Sequence, residues 1–216
     1  MQKPKVAVIG AGLGGATCAA LFQQAGYPVE VYEQAPVFTR LGAGIHLGPN
    51  CVRVLNHIGL ERELLEVAVR PKAWNSLMWD TGKPLFSLPL RDVAEKLYGA
   101  AYITMHRGDL HAMLIEAVAP AKINFGKQVV DLAQDDKTVR MKFADGSTTS
   151  ADIVVGADGV FSRVREWMFG AAEPIYTGYI GHRASIPAKN LERVGALSFE
   201  DHAKWWAHDR HLIVYF

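Results

Sequence analysis

A glycine-rich turn near the amino terminus has the residue types that bind a dinucleotide. Gly10, Gly12 and Gly15 follow the spacing G-x-G-x-x-G, Gly14 lies beside them, and Glu33 comes 18 residues after Gly15. Such a turn lets a pyrophosphate approach the backbone, where free N–H groups at a helix N-terminus stabilise its charge. The acid accepts hydrogen bonds from a ribose. Because Glu33 is not basic, the ribose should carry no phosphate, which admits NAD or FAD and argues against NADP.

This chemistry requires a strand before the turn, a helix after it and a second strand that ends at the acid. Val6–Ile9 is apolar and is predicted to be the first strand, and the helix is predicted to end at Gly26. Val29–Tyr32 is the predicted second strand and leads directly into Glu33. A strand–helix turn that binds nothing is the alternative, but it does not explain three glycines and an acid in register.

Composition bounds the class of protein and of partner. Of 216 residues, 50% are apolar and 21% are charged, and the net charge is +1, so we expect a globular protein without a nucleic-acid partner. No apolar run is long enough to span a membrane, and the first residues lack the features of a signal peptide. Cys18 and Cys51 are too few for a disulfide framework or a zinc site. We therefore expect a cytoplasmic protein with no metal and no membrane contact.

Two kinds of segment alternate along the chain. Residues 1–69 and 101–171 have the βαβ pattern, whereas 70–100 and 172–216 are typical of short strands joined by turns. The predicted fold is therefore α/β, with a Rossmann-like three-layer domain (1–69 and 101–171) interleaved with a smaller antiparallel β-rich domain (70–100 and 172–216). The chain stops within an apolar strand that has no terminating turn, so we expect the fold to be truncated at the C-terminus.

A second motif follows the predicted strand Ala151–Val155. The string from Asp152 to Arg165, DIVVGADGVFSRVR, contains Asp158-Gly159, which by itself would be only a turn. Together with the glycine-rich turn, this string resembles the single-component flavoprotein aromatic hydroxylases, the family of p-hydroxybenzoate and salicylate hydroxylases. In that family an Asp-Gly motif serves both FAD and the nicotinamide nucleotide. The resemblance covers essentially the whole chain but only the front part of a family member, whose later Gly-Asp motif is missing here.

The resemblance implies a chemistry and its cofactors. FAD would be tightly bound in the larger domain, with NADH and O2 as cosubstrates and a small aromatic ring as the substrate. Three strings, at residues 38–50, 98–111 and 204–215, are similar to the branch of the family that acts on 6-hydroxynicotinate. This implies decarboxylative hydroxylation to 2,5-dihydroxypyridine. The alternatives are a salicylate-type hydroxylase, an FAD-binding fragment without activity that can form a homodimer, and a plain NAD dehydrogenase.

The resemblance also assigns residues to the cofactor. Arg107 opens a predicted helix and would supply positive charge near the pyrophosphate, with a surface arginine as the alternative. Val129 would hold the adenine end through its backbone. The full set of predicted cofactor contacts is Gly10, Gly12, Gly14, Gly15, Glu33, Gln34, His46, Arg107, Val129 and Asp158.

The predicted catalytic residues are His46, Tyr215 and His211. A hydroxyaromatic ring reacts better as its oxyanion, so a base with a pKa near neutrality is needed beside it. His211 and Tyr215 share one face of the last predicted strand, and without the resemblance we would expect that face to meet solvent. With it, both become substrate contacts, and Tyr215 becomes a candidate base together with His46. His202 and His208 are predicted to be ordinary strand-end or turn residues.

Overall fold

The structure is a computed structural model of the chain, and it describes residues 3–40, 42–119, 122–190 and 202–215. In chain order the helices and strands are β1 (Val6–Ile9), α1 (Leu13–Gln24), β2 (Val29–Tyr32), β3 (Gly44–Leu47), α2 (Pro49–His57), α3 (Glu61–Val67), β4 (Ala73–Met78), β5 (Pro84–Pro89), α4 (Arg91–Tyr98), β6 (Ile103–His106), α5 (Arg107–Ala117), β7 (Ile123–Asn124), β8 (Val129–Gln134), β9 (Val139–Phe143), β10 (Thr148–Ala151), β11 (Ile153–Gly156), α6 (Arg163–Phe169), β12 (His202–Trp206) and β13 (His211–Val214), with a 3-10 turn at Ala188–Asn190.

The chain divides into two compact units. Unit 1 comprises Met1–Arg40 and Leu110–Gly181, and unit 2 comprises Leu41–Asp109 and His182–Phe216. These bounds differ from the predicted domains at 172–181, which falls in unit 1, and at 41–69 and 101–109, which fall in unit 2. The reason is that β3 pairs with β6 in antiparallel register, which ties these two stretches to each other.

Unit 1 is built on a parallel sheet with the strand order β11-β1-β2-β7. Strand β1 is central and buried along its whole length, which explains why its sequence is continuously apolar rather than alternating. A second sheet, β10-β9-β8, is antiparallel, and β9 alternates buried and exposed residues as a strand with one covered face should. The core cluster of this unit joins side chains of both sheets, among them Ile9, Tyr32, Met141 and Phe143.

The helix α1 lies close to β1 because its contact residues are small. Ala16, Ala19 and Ala20 are buried, and Gly15 comes so near the strand that an added Cβ would lie 1.9 Å from the carbonyl oxygen of Gly10. The backbone at Gly10 has φ of +101°, a conformation that favours glycine. The predicted strand, turn, helix and second strand are confirmed at these positions.

Unit 2 contains a sheet with the order β13-β12-β4-β5 and the separate pair β3-β6. Strand β12 runs parallel to β4 and antiparallel to β13. The helices α2, α3 and α4 belong to the same unit. Helix α4 is capped at its C-terminus by Gly99, whose φ of 71° is left-handed.

Several predicted elements differ from the observed ones. The sequence pattern of 70–100 predicts short strands joined by turns, but α4 occupies the end of that segment. The predicted strand Ala151–Val155 is two strands, because Asp152 separates β10 from β11. Residues 171–187 form neither helix nor strand, contrary to the strands predicted from 172. The parts of that prediction at 191–201 and 216 lie outside the described residues.

The contact between Gly15 and Gly10 predicts different effects on stability for two neighbouring substitutions. Gly15→Ala forces α1 away from β1 and should lower the free energy of unfolding by about 1–3 kcal/mol. Gly14→Ala adds a Cβ that meets no described atom within 4 Å, so it should be neutral or raise that free energy by up to about 1 kcal/mol. Urea denaturation of both variants measures the difference. Equal effects would contradict the close contact.

Candidate functional site

The glycine-rich turn of unit 1 is closed on one side and open on the other. An added Cβ at Gly10 would lie 2.4 Å from the carbonyl oxygen of Ala157, so this side is filled by protein. At Gly12 and Gly14 an added Cβ would meet nothing within 4 Å among the described residues. The helix α1 begins directly after Gly12, so its free N–H groups lie at the same turn. An anionic group such as a pyrophosphate can therefore approach this backbone.

Glu33 lies beside the turn, as predicted. One carboxylate oxygen accepts a hydrogen bond from the N–H of Ala11 at 2.7 Å, and the other accepts from the N–H of Ala35 at 2.8 Å. A carboxylate offers about four acceptor positions, so it keeps the capacity to accept from ribose hydroxyls. Gln34 is exposed next to it, and its predicted cofactor contact stays a prediction.

His111 is a contact of the turn that the sequence did not reveal. Its Nε2 lies 2.6 Å from the carbonyl oxygen of Ala11, and because a carbonyl only accepts, the imidazole is the donor. Phe38 packs edge-on against the imidazole at 5.0 Å between ring centres. The peptide groups at Ala11 are thus held by Glu33 at the N–H and by His111 at the carbonyl. The only sequence signal was its place in the string 98–111, since the contact joins residues 100 positions apart.

Asp158 is engaged at the start of α6. Its carboxylate accepts hydrogen bonds from the Ser162 hydroxyl, from the N–H of Arg163 at 2.7 Å and from the N–H of Val164 at 3.2 Å. Ser162 caps the same helix by accepting from the N–H of Arg165. This arrangement gives Asp158 a structural role in the turn, and its contact with a cofactor stays a prediction.

Two further predicted cofactor residues have clear structural surroundings. The side chain of Val129 is buried in the core cluster of unit 1. Arg107 begins α5, and its N–H donates to the carbonyl of Ala43 at 2.9 Å. His106 donates from Nε2 to the carbonyl of Gly42 at 2.9 Å, since its Nδ1 accepts from a backbone N–H. The roles of Arg107 and Val129 toward a cofactor stay predictions.

Unit 2 contains a cluster of aromatic and titratable side chains centred on His46, which we call the His46 cluster. The ring centre of His46 lies 3.9 Å from that of Tyr215, 5.0 Å from His202, 5.4 Å from Trp74 and 6.1 Å from Tyr102. The hydroxyl of Tyr102 lies 2.8 Å from Nδ1 of His46. The cluster therefore combines hydrogen-bonding groups with aromatic faces, as a site for a flat polar ring requires.

Strand pairing brings the His46 cluster together. In the pair β3-β6, His46 stands opposite Thr104, two residues after Tyr102. In the pair β12-β4, His202 stands beside Trp74. Tyr215 reaches the cluster by passing over Gly44, where an added Cβ would lie 2.4 Å from a Tyr215 ring carbon. Glycine at position 44 is therefore required for the packing of Tyr215 against His46.

Burial sets the protonation of the cluster. It lowers the pKa of His46, so the neutral imidazole is favoured. Burial together with the nearby Tyr215 raises the pKa of Tyr102 to about 12. Burial also raises the pKa of Tyr215, while Arg183 acts in the opposite direction. At neutral pH the imidazole is neutral and both phenols keep their protons.

The third predicted catalytic residue lies apart from the His46 cluster. His211 is exposed, and its ring contacts Trp206 at 5.7 Å between centres. His202 begins β12, as predicted, but it is buried in the cluster, with its Nε2 3.3 Å from the Thr104 hydroxyl. Sequence reasoning did not single out Tyr102, Trp74 or His202 for this site. A period-two pattern gives the face of a strand, but it does not reveal which strand lies beside it.

No helix among the described residues is both long and apolar enough to cross a membrane.

Comparison with known proteins agrees with the glycine-rich turn and the fold. The FAD binding domain family matches residues 3–183. A 6-hydroxynicotinate 3-monooxygenase of Bordetella bronchiseptica is 50% identical over 214 residues, which cover 99% of this chain and 55% of that protein. The enzyme of the same name from Pseudomonas fluorescens is 49% identical, covering 100% of this chain and 56% of that protein. The chain thus spans about half the length of these curated relatives.

Solved structures share the fold. The 2,6-dihydroxypyridine-3-hydroxylase from Arthrobacter nicotinovorans is 28% identical with a TM-score of 0.77, covering 99% of this chain and 52% of that one. HpxO of Klebsiella pneumoniae, solved with FAD and uric acid, has a TM-score of 0.77 at 22% identity, covering 98% of this chain and 52% of its own. The predicted resemblance to flavoprotein aromatic hydroxylases is confirmed, and the chain belongs to the FAD binding domain family.

Proposed function

We propose that this chain carries the FAD-binding turn and ring-contact residues of a monooxygenase that acts on 6-hydroxynicotinate. The reaction would consume NADH, O2 and two protons and release 2,5-dihydroxypyridine, CO2, water and NAD+. The observation that carries the proposal is the His46 cluster, where neutral hydrogen-bonding groups lie among aromatic faces. Two relatives that are about half identical to this chain over the aligned residues bear the name of this activity.

The residues of unit 1 fit the ADP half of FAD. The open side of Gly12 and Gly14 admits a pyrophosphate, and Glu33 has acceptor capacity for a ribose. When bound and reduced by the nicotinamide nucleotide, FAD would supply the activation of O2 and the hydroxyl group that is transferred. The chain supplies binding, orientation and the exclusion of water.

The residues of unit 2 would hold the aromatic substrate. Tyr215 and Trp74 offer flat faces on which a six-membered ring can pack, and they displace water from it. In 6-hydroxynicotinate the hydroxyl oxygen is attached para to the carbon that bears the carboxylate. Hydrogen bonds to that oxygen therefore affect the electron density at the carbon where hydroxylation and loss of CO2 occur. His46 and Tyr215 are our proposed contacts to the oxygen.

A reconstitution assay tests the proposed function. The purified chain is loaded with FAD, and NADH oxidation, CO2 and 2,5-dihydroxypyridine are measured with 6-hydroxynicotinate. Salicylate in a parallel assay tests the salicylate-type alternative, and NADPH tests the choice of reductant. Oxidation of NADH triggered by salicylate but not by 6-hydroxynicotinate would overturn the substrate assignment.

A second candidate function is FAD binding without turnover by this chain. It is favoured by the fact that the chain matches only 55–56% of the length of its curated relatives. Bound yellow flavin with no substrate-dependent NADH oxidation would support this candidate. A colourless chain that binds no FAD under any of these conditions would contradict both.

The open side of the turn predicts a variant that separates folding from FAD binding. Gly12 has φ of −65°, which alanine adopts without strain, and an added Cβ meets no described atom within 4 Å. Gly12→Ala should therefore change the free energy of unfolding by less than about 0.5 kcal/mol. It should weaken FAD binding about tenfold or more, because the methyl group occupies the approach of the pyrophosphate. Flavin fluorescence titration measures the affinity, and unchanged binding would count against this site.

The neutral state of His46 predicts a pH dependence of stability. Because burial lowers the pKa of His46 in the folded chain, the unfolded chain binds this proton at a higher pH. Stability from this group is complete above about pH 6.5 and falls as the pH drops through the lower, folded value. Urea unfolding at several pH values should show a shallower decline for His46→Gln. The exposed His208→Gln is the control and should keep the decline of the original chain. An identical decline in both variants would contradict the burial effect.

A further inference from the structure

The two ring nitrogens of His46 have different surroundings. Nδ1 lies 2.8 Å from the hydroxyl of Tyr102. Nε2 is buried and has no hydrogen-bond partner among the described residues. A buried polar atom without a partner destabilises the fold, so a partner from outside the described residues is to be expected. Whether that partner is a donor or an acceptor depends on which nitrogen carries the proton.

The hydrogen bond between Tyr102 and His46 can form in two proton arrangements. If Tyr102 donates to Nδ1, the hydroxyl proton and the Nδ1 lone pair are both used, and only the proton on Nε2 lacks a partner. If instead Nδ1 carries the proton and donates to Tyr102, the hydroxyl proton must find another acceptor. The structure gives no second partner for that hydroxyl among the described residues. The first arrangement therefore leaves fewer polar groups without a partner.

The protonation of the neighbours agrees with the first arrangement. The pKa of Tyr102 is raised to about 12, so its hydroxyl has a proton to donate at neutral pH. The pKa of His46 is lowered, so the imidazole is neutral. One of its ring nitrogens therefore has a lone pair that can accept a hydrogen bond from the Tyr102 hydroxyl. The other titratable side chains against His46 are Tyr215, whose raised pKa keeps it protonated, and His202, whose Nε2 is already occupied by Thr104.

We propose that Tyr102 holds His46 as the Nε2–H tautomer, which makes Nε2 a hydrogen-bond donor to the carbonyl or oxyanion oxygen of a bound aromatic ring. Tyr102 is then a positioning residue that acts through His46. This inference rests on the proposed function for the identity of the ring, but the tautomer itself does not. The proposal revises the predicted role of His46 as a base. A nitrogen that already carries a proton stabilises the oxygen attached to the ring instead of removing its proton.

The chemistry of the proposed ring suits such a donor. A 2-hydroxypyridine group exchanges with its oxo tautomer, in which the proton lies on the ring nitrogen. The oxygen is then a carbonyl and only accepts hydrogen bonds. The oxyanion of the same ring also only accepts. A donor at Nε2 serves both forms, and its hydrogen bond strengthens as negative charge develops on the oxygen.

Nitrogen NMR of the chain without FAD or substrate tests the tautomer. Histidine is labelled with 15N, and long-range 1H–15N correlations identify which ring nitrogen carries the proton, with His46→Gln assigning the signal. We expect Nε2–H in the original chain and a raised Nδ1–H fraction in Tyr102→Phe, which keeps the ring but loses the hydroxyl. Tyr98→Phe, an exposed tyrosine in α4, is the matched control and should leave the signal unchanged. An Nδ1–H or doubly protonated His46 at neutral pH, or no change in Tyr102→Phe, would overturn the proposal.

Ligand affinity tests the donor role. In the FAD-loaded protein, Tyr102→Phe should weaken the binding of 6-hydroxynicotinate about three- to tenfold, as expected for a weakened hydrogen bond. Nicotinate lacks this hydroxyl group, so the affinity of the protein for nicotinate should change much less. Equal losses for the two rings would overturn the assignment of Nε2 as a donor to that oxygen. If neither ring binds, the proposed function fails, while the NMR result still decides whether Tyr102 fixes the tautomer.

Discussion

Both candidate sites depend on places where the chain approaches itself too closely for a side chain. In unit 1, Gly15 brings α1 to within contact of the Gly10 carbonyl, and this contact fixes the turn whose opposite side is open. In unit 2, Gly44 leaves room for Tyr215 to lie against His46. Dense packing makes such contacts specific, because neither neighbour can shift without disturbing the core around it. The missing Cβ atoms are therefore as important to these sites as the polar groups.

The two units present different kinds of chemistry. The turn of unit 1 offers backbone N–H groups and a carboxylate that is itself held by backbone, so its geometry follows from main-chain conformation. The His46 cluster instead depends on side chains in or next to five separate strands, β3, β4, β6, β12 and β13. A backbone site is suited to phosphates and sugar hydroxyls, which many ligands share. A side-chain site can be adapted to one ring, which is consistent with relatives of this family that bear the names of different substrates.

Local signals predicted the first site well and the second poorly. The strands β1 and β2 could be predicted because a buried parallel strand has a continuous apolar sequence, and the turn could be predicted because its glycines follow a strand. Strand β3 has no such signal, since it becomes a strand by pairing with β6, nearly 60 residues later. The burial of His202 likewise arises from its pairing beside Trp74. Such long-range pairings are not written in the local pattern of either strand.

Polar residues showed a related limit. Asp158 was assigned to a cofactor by resemblance, and its carboxylate also turned out to hold the first N–H groups of α6. His46 was assigned by resemblance as well, but the hydroxyl that orients it comes from Tyr102, which no motif singled out. Motifs report which residues recur at a site, whereas the hydrogen-bond partner of each nitrogen or oxygen depends on the assembled strands.

The close approach of Gly44 and Tyr215 also has an evolutionary consequence. Any side chain at position 44 would collide with the Tyr215 ring, so the two positions cannot drift independently. A lineage that acquired a smaller residue at 215 would gain room for alanine at 44, and reversal would then require both changes. Positions 44 and 215 should therefore covary among relatives, and an engineer who wishes to reshape the space beside His46 would have to exchange them as a pair.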